Sequence, residues 1–447
     1  MKRGLYAQLI HLALPIMGAN LLQTLYNLAD SYFLGKLGKE AISAPSISFN
    51  IIIFLIIFGA GFSSAGTTLI SQAKGREDAD KVEFYVGQTF GILVLVSFLI
   101  MITGLLLTDP LLRLLQVPTG LTYEYTKTYM RIIFYGMPFM FVAFAFRGIL
   151  QGVGDSLTPL KIQIITVSLN VGLDYLLIFG IGPFPVMGVA GAAWATVISR
   201  SIASVIDIYL LSSGRLKIRL RMSTIKPDRR AWGLIMSIGL PSSIGQGVSA
   251  LGFTTLQGIV NTFGPAVIAA FGVGGRIIAL FNMPAQGISQ ATAVLVGQNL
   301  GAKAPDRAVQ VVRYGLMTIA VFIIAGMSLT FFYGNLLVRF FVDDPEVIFY
   351  GATLFRIVSI SVVFFALYTV LIGAFQGGGD TKPIMVVQIS RLWLIRVPVA
   401  FFLTSIVHMG PDGIWWGMFA SNFVVAIVVW LLYRTGRWKY RLNSDTI

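Results

Sequence analysis

Twelve stretches of this chain are apolar for long enough to cross a lipid bilayer, and no other property restricts its fold so sharply. They fall at roughly 10–35, 41–72, 84–108, 122–150, 157–181 and 187–212, then at 231–263, 266–299, 308–333, 346–376, 383–409 and 412–434. About 20 apolar residues in a helix cover the hydrocarbon thickness of a membrane. Within lipid every backbone N–H and C=O must be satisfied internally, which leaves helices or closed barrels. Barrel strands would read as short alternating segments, whereas these runs are long and continuous. The sequence therefore predicts an all-α integral membrane protein. With 56% of its 447 residues apolar and only 12% charged, the chain is far from the composition of a soluble domain. The first run is polar-spotted and lacks a small-residue cleavage pattern, so it reads as a spanning helix and not as a signal peptide. No cysteine is present, so disulfide and thiolate chemistry are not proposed.

The twelve runs come in two sets of six. Pro15 to Gly38 spans the same 23 positions as Pro241 to Gly264. Gly59-Ala-Gly-Phe-Ser-Ser-Ala-Gly, ending at Gln72, returns as Ala285-Gln-Gly-Ile-Ser-Gln-Ala-Thr, ending at Gln298. Arg131 precedes the loop Gln151–Asp155 as Arg356 precedes Gln376–Asp380. Four landmarks in one order, about 226 residues apart, point to a duplicated unit. We place an N-terminal six-helix lobe at 1–212, a basic cytoplasmic linker at 213–230, and a C-terminal six-helix lobe with a cytoplasmic tail at 231–447. Lys226-Pro-Asp closes the linker, since proline and the residue before it resist helix. An even number of helices per half makes the repeats parallel, and the cleft between such pseudo-symmetric halves is where transporters bind cargo.

The net charge of +14 is explained by topology. Lys2, Arg3, Lys74, Arg76, Lys81 and Lys161 fall on one side if the helices alternate. So do Arg215, Lys217, Arg219, Arg221, Lys226, Arg229 and Arg230 of the linker, then Lys303, Arg307, Arg313, Lys382, Arg434, Arg437, Lys439 and Arg441. By the positive-inside rule this side is cytoplasmic, with both termini on it. The expected location is the cytoplasmic membrane, with multiple passes and lipid as a partner. Nucleic acid is excluded as a partner, because no basic soluble module exists to carry it.

No G-x-x-x-x-G-K-[ST] motif is present and no soluble segment could house a nucleotide fold. His11 and His408 are the only histidines, too few for a transition-metal centre. The Gly-rich loops at 151–155 and 376–380 read as tight helix–loop–helix turns and not as phosphate cradles. No cofactor and no enzymatic activity are expected. Elimination leaves a secondary transporter coupled to an ion gradient, which needs an ion-binding group at membrane depth. Acids there cost at least ~2.5–3.5 kcal/mol on insertion scales and mark function by default. Asn20, Gln23, Asn27 and Asp30 form a polar stripe on helix 1, with Tyr26 one turn before Asp30. Helix 5 repeats the pattern with Gln163, Thr166, Asn170 and Asp174, and helix 6 adds Thr196, Arg200, Ser204 and Asp207. Asp30 is the strongest candidate, because its repeat partner is Leu256. Asp174 follows, since Asn170 shares its face. Asp207 reads as a solvated charge at the end of its helix, near Arg215 and Lys217. Arg391 and Arg396 lie in apolar sequence and could bind an anionic group of the cargo, pair with acids or snorkel. Pro15 removes a backbone hydrogen bond and is read as a hinge that bends helix 1.

The runs Gln23-Thr-Leu-Tyr-Asn-Leu-Ala-Asp30, Leu169-Asn-Val-Gly-Leu-Asp174, Phe179-Gly-Ile-Gly-Pro-Phe-Pro and Gly188-Val-Ala-Gly-Ala-Ala-Trp-Ala-Thr196 resemble the multidrug and toxic compound extrusion (MATE) family, and within it the prokaryotic, DinF-like branch. The resemblance covers essentially the whole chain. It implies two six-helix bundles rocking around a central cavity and exporting bulky amphipathic, often cationic, xenobiotics against inflow of H⁺ or Na⁺, in a protein expected to act as a monomer. It places the ion-coupling site on Asp30, Asn170, Asp174 and the Thr196 hydroxyl, which would also be the Na⁺ ligands if Na⁺ drives transport. Gln23, Tyr26, Asn27, Gln163 and Arg147 would line the cargo cavity. Other branches place acids in the seventh and tenth helices; here helix 7 shows Ser242, Gln246 and Gln257, and that site looks absent. Arg147 departs from the family pattern and would either reach Asp30 or Asp174 or snorkel to the cytoplasm. An alternative of a different class is a flippase for lipid or lipid-linked oligosaccharide, to which Arg147, Arg391 and Arg396 would present positive charge.

Overall fold

The structure, a computed structural model, describes residues 4–216 and 218–442. Lys2, Arg3 and Lys217, used above for topology, lie outside the described residues. All regular structure among the described residues is helical, and twelve helices are long and apolar enough to cross a membrane. In chain order these are α1 (Leu5–Gly35), α2 (Lys39–Gly75), α3 (Ala79–Leu114), α4 (Leu121–Val153), α5 (Leu157–Phe179) and α6 (Gly188–Ser212), then α7 (Arg229–Asn261), α8 (Pro265–Gly301), α9 (Pro305–Arg339), α10 (Pro345–Gly378), α11 (Thr381–Ile406) and α12 (Asp412–Arg434). The expected runs and the observed helices differ mainly by added polar turns at the ends, which hydropathy does not register.

The chain divides into two compact units. One, here the N-unit, is Gly18–Gly239; the other, the C-unit, joins the residues up to Met17 with those from Leu240 onward. The divisions fall inside α1 and α7, so each of these helices belongs partly to each unit. They lie beside Pro15 and Pro241, the two prolines of the repeat. In the C-unit core, Leu9, Leu12, Ala13 and Ile16 of α1 pack with Leu256, Ala285 and Ile288, and Tyr6 meets Tyr314 edge-on at 5.8 Å.

The repeat is preserved in detail. In the N-unit the Ser63 hydroxyl donates to the Phe144 carbonyl at 2.7 Å, and a Cβ on Gly148 would collide with Ser63. In the C-unit Ser289 donates to the Thr369 carbonyl at 2.6 Å, and a Cβ on Gly373 would collide with the Ser289 carbonyl. Small residues thus let α4 approach α2, and α10 approach α8, as close packing in membranes requires.

Both Gly-rich loops are helix C-caps. Gly154 (φ 93°) follows α4, with Gly154 N–H donating to the Gln151 carbonyl (2.9 Å) and Asp155 N–H to the Leu150 carbonyl (2.8 Å). Gly379 (φ 77°) repeats this after α10, with bonds to Gln376 and Phe375. This is the Schellman pattern, in which a left-handed glycine satisfies the last carbonyls. Asp155 then accepts from the N–H groups of Leu157 and Thr158, capping α5. Within the linker, Gln88 of α3 donates to the carbonyls of Thr224 and Lys226 at 2.7 Å and accepts from Asp228 N–H. The segment at 224–228 is therefore pinned to the N-unit although its sequence reads as polar.

Candidate functional site

Three helices of the N-unit bring most of the sequence-identified polar residues together. Asn170 and Asp174 lie one turn apart on α5 and are almost wholly enclosed. Asn170 donates from its amide nitrogen to Asp174 Oδ2 (3.0 Å), and its amide oxygen accepts from the Thr196 N–H (3.2 Å). The Thr196 hydroxyl on α6 shares a hydrogen bond of 2.8 Å with the Tyr26 hydroxyl on α1. Asp174, Asn170, Thr196 and Tyr26 thus form one group across α5, α6 and α1. Asp30 is an electrostatic neighbour of Asp174 and Tyr26, but its buried Oδ1 has no hydrogen-bond partner, and neither has Asp174 Oδ1. Two carboxylate oxygens in an apolar bundle are therefore open to a proton or a cation. Among the described residues no three His, Cys, Asp or Glu side chains converge as a metal site.

A cavity continues from this group toward the other end of α6. Its lining includes Gln23, Tyr26, Gln163 and Asn170 with Arg147, Arg200 and Asp207. A chain of amides crosses it: Arg147 Nη2 donates to Gln163 Oε1 (3.3 Å), Gln163 Nε2 to Gln23 Oε1 (3.1 Å), and Gln23 Nε2 to Asn27 Oδ1 (3.3 Å). Asn27 itself is exposed and is not part of the lining. Pro15 lies inside α1, away from this lining and within the C-unit portion of the helix.

Three residues differ from the sequence reading. Arg147 bonds to neither Asp30 nor Asp174 and does not snorkel. It bonds to Gln163, lies 5.9 Å over the Phe144 ring and has Arg200 and Asp207 as charged neighbours. Asp207 is not a solvated helix end: it is 1% exposed and lines the cavity together with residues of α4 and α5. Ser204, placed on the same stripe, turns to α4 and donates to the Phe139 carbonyl at 2.8 Å. Arg200, noted only as part of the stripe, sits 5.9 Å over the Tyr26 ring. The spacing Thr196, Arg200, Asp207 was visible in sequence; what covers the last of them was not.

The C-unit holds a second polar cluster. Arg391 and Arg396 are 5% and 2% exposed, so snorkelling is excluded. Arg391 Nη1 (3.2 Å) and Arg396 Nη2 (2.7 Å) both donate to Asn422 Oδ1, and Arg396 Nε donates to the Ser421 hydroxyl (2.8 Å). The Phe253 ring faces both guanidinium groups. Among the described residues neither arginine pairs with an acid. Asn422 and Ser421, on α12, carried no sequence signal, because they are isolated polar residues in an apolar run. The arginines occupy a π-helical segment, Ser390–Arg396, just before Pro398. Proline lacks the N–H that would bond the preceding turn and its ring crowds a carbonyl there, and a widened turn relieves this.

Comparison with known proteins gives one consistent result. The MatE family model matches residues 15–176 and 241–402. These are two stretches about 226 residues apart, matching the internal repeat. "Probable multidrug resistance protein NorM" of Thermotoga maritima is 30% identical over 440 residues, covering 97% of this chain and 93% of that one. "Probable multidrug resistance protein YoeA" of Bacillus subtilis is 29% identical, over 95% of this chain and 92% of that one. A solved structure described as the outward-facing conformation of a multidrug resistance MATE family transporter superposes with a TM-score of 0.90 at 24% identity. It covers 98% of this chain and 96% of that one.

Proposed function

The chain belongs to the MatE family and is a multi-pass membrane transporter, not an enzyme, and on that premise we propose that it is a secondary antiporter. In this reading it exports bulky amphipathic, cationic xenobiotics across the cytoplasmic membrane in exchange for H⁺ or Na⁺. It does so as a monomer with both termini in the cytoplasm, through alternating access. The observation that carries the reading is the buried group Asp174–Asn170–Thr196–Tyr26 with Asp30 beside it, opening onto a cavity in the same unit.

A proton entering from outside neutralises one of the two carboxylates. The remaining fixed charge then favours a bound organic cation less, and the cargo leaves on the outer side. Losing the proton to the cytoplasm restores the negative site and favours reloading. Antiport follows from linkage: ion and cargo each lower the other's affinity through a shared charge balance. Na⁺ could play the same part, since hard cations take oxygen ligands. However, the Asn170 amide oxygen is already engaged by Thr196 N–H and the Thr196 hydroxyl by Tyr26. That leaves mainly the two unpartnered carboxylate oxygens, which suits a proton better.

Ethidium efflux from proteoliposomes, with ΔpH and ΔNa⁺ imposed separately, tests this. One gradient should drive uphill efflux; none under either gradient would sink the antiporter. A flippase for lipid or lipid-linked oligosaccharide is a second reading, favoured by Arg391 and Arg396, which are buried without a carboxylate. Transbilayer movement of a labelled anionic lipid, with no ethidium transport, would support it.

A further inference from the structure

One carboxylate stands alone at the far end of the N-unit cavity. Asp207 is enclosed, lines the cavity, and keeps its buried Oδ1 without a hydrogen-bond partner. Two fixed cations share the lining, yet each is engaged elsewhere: Arg147 on Gln163 and the Phe144 face, Arg200 on the Tyr26 face. Neither closes an ion pair with Asp207. An unpaired acid enclosed in a membrane protein is costly in its charged form, so it either takes up a proton or meets a cation.

We propose that Asp207 is a cargo subsite whose carboxylate receives the positive group of an organic cation, with Phe146 of the same cavity lining as an aromatic wall. The proposal rests on the antiporter reading and specifies where its cargo binds. A metal ion does not fit here, because a hard cation needs several oxygens. The nearby lining supplies one carboxylate and two guanidinium groups, and no cluster of three ligating side chains exists among the described residues. A delocalised organic cation needs only one counter-charge and a ring face to lie against. Thr196 and Asp207 are eleven residues apart on α6, about 16 Å at 1.5 Å per residue. Cargo at Asp207 and ion at Asp174 therefore do not overlap, and they influence each other by charge across the cavity. Arg147, the charged neighbour nearest in effect to Asp207, competes with the cargo cation for its field.

The test is equilibrium binding to the purified full chain in nanodiscs with no gradient, using ethidium as the cationic probe and N-phenyl-1-naphthylamine as a neutral aromatic one. Asp207→Asn should weaken ethidium binding about tenfold, an ordinary magnitude for one lost charge contact, and leave the neutral probe unchanged. Asp207→Glu should restore most of it, and Arg147→Gln should tighten ethidium several-fold. Equal ethidium affinity in wild type and Asp207→Asn overturns the subsite, as does equal weakening of both probes, which would mark a structural role. If Asp207→Asn does not fold, Arg147→Gln decides, and unchanged or weaker ethidium binding there overturns the proposal. Wild type that binds the neutral probe and not ethidium overturns the cationic-cargo reading itself, a result visible without any mutant.

Discussion

At the scale of single residues, the coupling group makes separable predictions. Asp30→Asn keeps the shape of the side chain but cannot take up and release a proton. It should fold, retain downhill ethidium exchange and lose uphill efflux by tenfold or more, measured in proteoliposomes. Asp174→Asn should be similar but milder, since Asn170 can still donate to the new amide oxygen. Full uphill efflux by Asp30→Asn would remove Asp30 from the mechanism. Thr196→Val leaves the Tyr26 hydroxyl without its partner and should cost about 1 kcal/mol in thermal stability. The pairing of Asn170 with Asp174 was legible in sequence, because one helical turn separates them. The bond from Tyr26 to Thr196 was not, because 170 positions separate the partners. Asp207 was misread for a related reason. Proximity to a loop along the chain says nothing of which helices surround a side chain, and here Asp207 is enclosed and shares a cavity lining with residues of α4 and α5.

At the scale of elements, the repeated helix crossings are the sensitive points. Gly148→Val and Gly373→Val each place carbon where Ser63 and Ser289 lie. Each should lower the melting temperature and the folded yield, measured by fluorescence-detected size exclusion, whereas Gly258→Ala, in open space, should not. Gly154→Ala forces a side chain into left-handed backbone (φ 93°) and should cost about 1 kcal/mol. The helices themselves were legible almost to their ends, because membrane length and apolarity are strong constraints in series. The π-helical turns of α11 were not. A run of apolar residues looks alike whether its turns hold 3.6 residues or more, and Pro398 alone does not say how the turn before it will yield.

At the scale of the molecule, the two points where α1 and α7 pass from one unit to the other stand beside Pro15 and Pro241. Proline interrupts the helical ladder, so Pro15→Ala should impair transport more than it impairs folding; normal efflux by a well-expressed mutant would count against a hinge. A reporter fused at Ile447 or in the linker should be cytoplasmic, and a periplasmic signal would overturn the topology. That the chain has two like halves was legible in its repeat, but that each half gives up the start of its first helix was not, since nothing in the sequence of α1 distinguishes Ile16 from residues that stay with their neighbours. The same exchange sets an order on biosynthesis. The N-unit has all its parts once Gly239 has left the ribosome, while the C-unit must join residues made before Gly18 to residues made after Gly239. The opening turns of α1 are therefore made before the whole N-unit and wait for their packing partners on α7 and α8, and a cut in the linker would leave two fragments that can complete their cores only by finding one another.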